Sequence, residues 1–164
     1  MTESPVDLVS DYPCLANLPA LLGGDGGDRG ELLDVVLEFL VRDSGAARGT
    51  IYLVDRERQE LNSTATRGRE IEGLSLPVGE GVAGNVARSG ELQIISDAYA
   101  SPLFDRSVDE LTGFRTENML TAPIGVGEAV GVIQLLNKPR GFTERDAAFV
   151  ATVASQLAGY LATS

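Results

Sequence analysis

The chain has 164 residues, 43% of them hydrophobic, which is enough for the core of one domain. Its formal net charge of −11 at pH 7 disfavours nucleic acids and anionic membranes as partners, because both are bound through basic patches. There is no histidine and one cysteine, Cys14, so the usual general base, the commonest zinc ligand and an intrachain disulfide are absent. We therefore expect no enzyme, no catalytic residues, no metal and no resident cofactor.

Residues 1–30 are predicted to be a flexible N-terminal segment that contains one short apolar helix. Residues 1–11 are polar and acidic, which indicates disorder and no signal peptide. Residues 13–22 form an apolar patch that packs on the domain or on a second copy of it, and residues 23–30 are a glycine-rich break. A lone cysteine fits a reducing compartment, so we expect a cytoplasmic protein.

Residues 31–164 are predicted to form one α+β domain. Residues 31–43 have apolar side chains at helical spacing, and a last helix begins after Thr143 and runs to about Ala162. We expect one six-stranded antiparallel sheet, with the terminal helices on one face and short helices and a loop on the other. The strands are predicted within residues 49–55, 60–66, 70–78, 92–95, 118–124 and 129–137.

The last helix has apolar side chains on two faces. Two interpretations fit this pattern: the helix is buried under a terminal segment of its own chain, or it forms the seam of a dimer. With the apolar patch of residues 13–22, it leads us to expect a homodimer through the terminal helices. The first stripe is Ala147, Val150, Ala154, Leu157 and Leu161, and the second is Phe149, Val153 and Tyr160.

Residues 79–116, here named the lid, connect the strand predicted within residues 70–78 to the strand predicted within residues 118–124 and include the short strand predicted at residues 92–95. They begin with three glycines around an apolar pair, and residues 82–88 are predicted to be a short helix that ends at Gly90. A second helical piece over residues 104–111 ends at Gly113. The first amides of a helix are unpaired and partly positive, so the start of the first helix is a candidate seat for an anion. A plain connection is the alternative, but its length argues for a functional cover of the sheet.

The lid and the segments after it resemble a GAF domain, in particular the cyclic-nucleotide-binding kind of phosphodiesterases and adenylyl cyclases. The resemblance covers roughly residues 32–160, and it is specific in the order and spacing of its pieces. Those pieces are GVAGNVARSG, ISDAYASPLFDRSVDELTGFRT, NMLTAPI, and GVIQLLNK followed by FTERD.

The resemblance implies a small ligand between the sheet and the lid. The amides of Val82, Ala83 and Asp105 would face a cyclic phosphate, which a few amides and a helix dipole can hold. Each position also has an ordinary interpretation, such as Asp105 capping the second short helix. The remaining implied contacts are Thr112 and Thr116 toward ribose and phosphate, Asp109 toward the base, Gln134 in place of an acidic ribose partner, and Thr50 at the pocket floor.

The family signature of Asn-Lys, Phe and Asp-Glu is matched in part. Its residues would brace the pocket, with a lysine–aspartate pair joining the last strand to the last helix. Ala147 stands where the signature has its final Glu. The matching residues are Asn137, Lys138, Phe142 and Asp146.

Two further positions depart from relatives that bind cyclic GMP. Where those relatives have a stacking aromatic residue and an acidic residue, this chain aligns Thr66 and Arg67. A guanidinium only donates hydrogen bonds, so Arg67 favours adenine, with its bare N1, over the pairing edge of guanine. We expect Arg67 to cover the base and cyclic AMP to be preferred over cyclic GMP.

The resemblance thus implies a sensory or regulatory domain in signal transduction. It would bind a small ligand, with a cyclic nucleotide as the leading candidate. Whether the ligand is bound would then be signalled to a dimer partner or to an attached or separate output domain. The alternative is a GAF-fold dimerisation module with no ligand.

Overall fold

The computed structural model describes residues 5–24, 27–68 and 74–163. Its centre is a six-stranded antiparallel sheet with the strand order β3-β2-β1-β6-β5-β4. The predicted fold class and the predicted number of strands are confirmed. The strands are β1 (Arg48–Asp55), β2 (Glu60–Arg67), β3 (Ser75–Pro77), β4 (Gln93–Ile95), β5 (Met119–Ile124) and β6 (Gly131–Leu136).

Two groups of helices cover the two faces of this sheet. The long helices α3 and α6 pack on one face with the N-terminal helices α1 and α2, and α4 packs on the other face, over β5 and β6. The helices are α1 (Pro5–Asp11), α2 (Leu18–Leu22), α3 (Arg29–Ser44), α4 (Gly81–Ser89), α5 (Ser107–Thr112) and α6 (Glu144–Thr163), with 3-10 turns at Pro13–Ala16 and Ala98–Ala100.

The larger core lies between the long helices and the sheet. Leu37 of α3 and Phe149 of α6 are fully buried there against Ile51 and Ile133 of the central strands. The backbones of β1 and β6 lie so close that a Cβ at Gly131 would stand 2.6 Å from the carbonyl oxygen of Tyr52. A glycine at position 131 therefore leaves room for the close approach of these two backbones.

The N-terminal segment differs from the prediction. Pro5–Asp11 is helical, so disorder is wrong for these residues, and residues 1–4 lie outside the described part. The reason is packing: Leu8 is buried, and the ring of Tyr12 stacks on Phe149 with centroids 4.1 Å apart. The second apolar stripe of α6 is thus covered by its own chain, as one of the two interpretations expected.

Several boundaries shift from those expected. The helix α5 begins at Ser107 and not at residue 104, and β3 has three residues within the expected 70–78, of which 70–73 lie outside the described part. The first lid helix ends at Gly90 with a left-handed φ of 72°, as predicted. Over residues 5–24, 27–68 and 74–163, no helix is both long and apolar enough to cross a bilayer.

Candidate ligand-binding site

A cavity of about 110 Å³ lies between the sheet and the lid, large enough for several waters or a small organic group. Of the ten residues predicted to contact a ligand, Arg67 alone does not line it. Those that do are Thr50, Thr66, Val82, Ala83, Asp105, Asp109, Thr112, Thr116 and Gln134.

The sheet side of the cavity presents hydroxyl and amide groups. Side chains alternate along a strand, so Thr50 and Tyr52 of β1 both face the cavity while Ile51 faces the larger core. Burial raises the pKa of Tyr52 to about 12, although a hydrogen bond with Thr50 acts in the opposite direction. On the neighbouring strand, the side-chain amide of Gln134 donates to the hydroxyl of Thr121 at 3.2 Å.

The opposite side is the first turn of α4. Gly81 begins this helix with a φ of 68°, and Val82 and Ala83 are buried against the cavity. The side chain of Glu80, the N-cap residue, makes no capping hydrogen bond, and the first amides of a helix point away from its body, here at the end that lines the cavity. A Cβ at Gly81 would lie 3.6 Å from the Cβ of Asp105, so Asp105 lies close to the start of α4.

The carboxylate of Asp105 has a local partner. It accepts hydrogen bonds from the hydroxyl and the amide of Ser107, at 2.5 and 2.9 Å. These two bonds lower the pKa of Asp105. The side chain therefore caps α5, which was the ordinary interpretation, and the backbone is the part of this residue available to an anion.

Asp109 and Thr116 were expected to contact the ligand separately, and the structure pairs them with each other. One carboxylate oxygen of Asp109 accepts from the hydroxyl of Thr116 at 2.7 Å. The other accepts from the Thr116 amide at 2.7 Å and from the hydroxyl of Tyr99 at 2.8 Å, which raises the pKa of Tyr99. Asp109 and Thr116 are both buried, so the two bonds between them are shielded from water, whereas the bond from Tyr99 is only partly buried. As placed, Asp109 holds the lid together instead of facing a base.

Arg67 lies on the wrong face of the sheet for its expected role. It is the neighbour of Thr66 on β2, and alternation directs it toward α3. Its guanidinium donates to the carbonyl oxygen of Asp34 at 3.2 Å and lies 3.7 Å from the carboxylate of Glu38. The expectation that Arg67 covers the base is therefore corrected.

A different arginine lines the cavity, and sequence reasoning missed it. Arg48, the first residue of β1, is the one basic residue among the described residues around the cavity. Its guanidinium carbon lies 3.5 Å from the ring centroid of Phe114, which follows the end of α5. The available signal was the spacing Arg48-Gly49-Thr50, which places Arg48 and Thr50 on one face of a predicted strand.

The four predicted bracing residues divide between the two faces. Asn137 has a left-handed φ of 59°, and its amide side chain bonds the backbone of Arg115, Glu117 and Asn118 at the end of the lid. Lys138 pairs with Asp146 at 2.6 Å on the helix face, where Phe142 also packs. Of these four residues, Asn137 is the one whose side chain contacts the end of the lid.

Asp146 is fully buried, and three donors hold it. Lys138 and the Thr143 amide bond one oxygen, and the hydroxyl of Tyr12 bonds the other at 2.7 Å. Burial raises the pKa of Asp146, but these bonds together outweigh it, so the pKa lies below its usual value. The pair therefore ties β6 and α6 to the N-terminal segment.

Cys14 lies on the helix face and takes no part in the cavity. It is buried in the larger core, and burial with a hydrogen bond to Asp43 raises its pKa to about 12. A thiol with such a pKa is not a nucleophile near neutral pH. Among the described residues there is also no cluster of acidic or cysteine side chains that would hold a metal.

Comparison with known proteins finds a cyclic-nucleotide phosphodiesterase among the relatives of this chain. The chain is 40% identical over 88 residues to the dual 3′,5′-cyclic-AMP and -GMP phosphodiesterase 11 of Drosophila melanogaster. The match spans 51% of this chain and 6% of that protein.

Solved structures share the fold over nearly the whole chain. The GAF domain of a phosphoenolpyruvate-protein phosphotransferase from Coxiella burnetii has a TM-score of 0.85 at 23% identity, and the match covers 96% of this chain and 95% of that one. The free methionine-R-sulfoxide reductase of Neisseria meningitidis, in complex with its substrate, has a TM-score of 0.78 at 20% identity, with 98% and 91% covered. At these identities the likeness concerns the fold. The sequence model of the GAF domain family matches residues 27–162, so the chain belongs to the GAF domain family.

Proposed function

We propose that this domain binds a cyclic nucleotide between its sheet and its lid and acts as a sensor in signal transduction. GAF domains are typically regulatory modules, and the observation that carries the proposal is the composition of the cavity. The uncapped start of α4 faces it from one side, and hydroxyl and amide groups of the sheet face it from the other. A cyclic phosphate carries one charge, which such a helix start can hold.

The phosphodiesterase relative supports this proposal. The name of that protein states an activity on cyclic AMP and cyclic GMP, although the match spans only a small part of it. The net charge of −11 repels anions at long range, so local donors must hold the phosphate. The amides at the start of α4 are the donors we assign to it.

Cyclic AMP is the nucleotide we propose first. The reason is now Arg48 instead of Arg67, because Arg48 lines the cavity two residues before Thr50 on the same face of β1. A guanidinium donates and never accepts, so it suits the bare N1 of adenine and not the N1–H and amino group of guanine.

One observation favours the alternative of a ligand-free interaction module. Asp109 and Thr116 bond each other, so the lid is held closed without a ligand, over a cavity of about 110 Å³ that is smaller than the roughly 300 Å³ of a typical small-molecule pocket. In that case the output would depend on a protein partner. We propose a homodimer and an attached or separate output domain for both alternatives, in the cytoplasm, where the free thiol of Cys14 would stay reduced.

Thermal unfolding with a panel of cyclic nucleotides tests the proposal. A ligand at a hundred times its dissociation constant stabilises the folded chain by about 2.7 kcal/mol. We expect a clear rise in melting temperature with cyclic AMP and a smaller rise with cyclic GMP. No rise with any nucleotide would favour the interaction module.

A further inference from the structure

One polar atom in the cavity has no partner in the protein. The hydroxyl oxygen of Ser63 is buried, and among the described residues it is the buried side-chain nitrogen or oxygen that makes no hydrogen bond. Ser63 lines the cavity from β2. Buried hydroxyls in folded proteins are nearly always paired, so an exception inside a cavity indicates a group that a ligand satisfies.

A bulge in β2 turns this hydroxyl toward the cavity. The register with β1 pairs Ile51 with Ala65 but Tyr52 with Ser63, so Thr64 is an extra residue in β2. Ala65 packs in the larger core on the helix face. Without the bulge, Ser63 would share that face, since residues two apart do so in a regular strand. Bulges often redirect a side chain at a functional site.

The surroundings of Ser63 define what it can bind. Its neighbours around the cavity include Tyr52, Leu74 and Leu76, and none of these three carries a charge. The amide of Ser63 is already used, because it donates to the carbonyl oxygen of Leu74 at 2.9 Å. The hydroxyl both donates and accepts, so it suits an uncharged nitrogen or oxygen in an otherwise apolar setting.

The distance along β2 separates this group from the anion seat. The first turn of α4 lies against the end of β3, since a Cβ at Gly84 would stand 2.5 Å from the carbonyl oxygen of Pro77. Pro77 pairs with Glu60 of β2, and Ser63 lies three residues farther along that strand, which amounts to about 10 Å. A ligand whose charged group lies at α4 would reach Ser63 only with its far end.

We propose that Ser63 is a specificity-determining residue whose hydroxyl bonds a ring nitrogen or an exocyclic amino group of a neutral heterocycle. This inference rests on the proposed function and assigns the base end of the ligand to β2. A buried group that binding satisfies selects strongly for ligands that can pair it, because a ligand without the matching atom leaves it unpaired.

Calorimetric titration of three proteins tests this assignment: the unmodified chain, Ser63→Ala, and Ser89→Ala, which changes an exposed serine at the end of α4, outside the cavity. The probes are cyclic AMP and adenine alone. We expect Ser63→Ala to weaken binding about fivefold to tenfold, the loss typical of one neutral hydrogen bond, and Ser89→Ala to bind normally. Without ligand, Ser63→Ala should be at least as stable as the unmodified chain, because it removes an unpaired buried hydroxyl.

The outcomes separate this inference from the proposed function. Normal binding of cyclic AMP by Ser63→Ala would overturn the role of Ser63 and leave the function standing. Binding of adenine but of no cyclic nucleotide, with a loss in Ser63→Ala, would overturn the function and support Ser63. A clear loss of stability in unliganded Ser63→Ala would show that the hydroxyl is already paired and contradict the inference, and binding of neither probe would overturn both.

Discussion

The hydroxyl of Thr116 donates a 2.7 Å hydrogen bond to the buried carboxylate of Asp109. This bond joins α5 to the segment that leads into β5, and the Thr116 amide adds a second bond to the same carboxylate. The hydroxyl of Tyr99 donates a third bond to this carboxylate, and the guanidinium carbons of Arg106 and Arg115 lie 4.7 and 4.1 Å from the centroid of the Tyr99 ring. The lid therefore has its own internal attachment, independent of any ligand.

Thr116→Val should loosen this attachment, because it removes the hydroxyl and keeps the shape. A hydrogen bond to a charged group contributes about 1.5–3 kcal/mol, so we expect a loss of stability in that range in urea unfolding. Hydrogen exchange at the amides of α5 should rise with it. Thr64→Val, at an exposed site on β2, is the control and should change neither. Unchanged exchange in α5 would show that this bond does not hold the lid.

Lys138 and Asp146 should show strong coupling in a double-mutant cycle. Asp146 is fully buried, so removing one partner leaves a buried group unpaired and costs more than the roughly 0–1 kcal/mol of a surface pair. We expect both Lys138→Met and Asp146→Asn to destabilise the chain by several kcal/mol, and the double variant to lose less than the sum. Additive losses would contradict a working pair.

The same carboxylate should make stability depend on acid. The pKa of Asp146 is lower in the folded chain than in the unfolded chain, where it is about 3.9. Its contribution is therefore present above that pH and is lost as the pH falls through the lower folded pKa. In urea unfolding, the free energy of unfolding of the unmodified chain should fall from neutral to acid pH, and this fall should be absent in Asp146→Asn. Parallel pH dependences of the two proteins would contradict this.

Substitutions of Arg48 and Arg67 should have different effects on ligand binding. Arg48→Ala removes the basic side chain of the cavity, so we expect about tenfold or weaker binding of cyclic AMP by calorimetry. Arg67→Ala removes half-exposed ion pairs with α3 and the hydrogen bond to the carbonyl oxygen of Asp34, all outside the cavity, so binding should stay unchanged and stability should fall by about 1–2 kcal/mol. Weaker binding by Arg67→Ala together with unchanged binding by Arg48→Ala would instead assign the base contact to Arg67.

The proposed homodimer should depend on the outer face of α6. Ala151, Ser155 and Gly159 are exposed at helical spacing there, whereas Phe149 and Val153 are covered by the N-terminal segment. We expect sedimentation at micromolar concentration to give a dimer mass, and Ala151→Arg to give a monomer. Val126→Arg, on the exposed turn after β5, should stay a dimer. A monomer mass for the unmodified chain would refute the proposal.

The sequence predicted the sheet well, because its elements have strong local signals. Alternation and turns defined β1 and β2, and Gly90 and Gly113 defined the ends of the two lid helices. The N-terminal segment was mispredicted, because the packing of Leu8 and Tyr12 on α6 is a tertiary effect that local polarity does not reveal.

The sequence predicted which residues lie around the cavity better than it predicted the hydrogen bonds between them. Resemblance brought Thr50, Val82 and Ala83 to one cavity, but it could not show that Asp109 and Thr116 bond each other. The bulge at Thr64 also escapes prediction, because register depends on the partner strand. For the same reason Ser63 had no signal of its own in the sequence.

Calorimetric titration of cyclic AMP into two tryptophan variants and the unmodified chain tests the central claim most directly. Thr50→Trp fills the cavity from β1, and Val126→Trp places the same side chain in solvent on the turn after β5. We predict one cyclic AMP bound per chain for the unmodified protein and for Val126→Trp, and none for Thr50→Trp. Binding that survives in folded Thr50→Trp, or no binding by the unmodified chain, would contradict a cyclic-nucleotide site between the sheet and the lid.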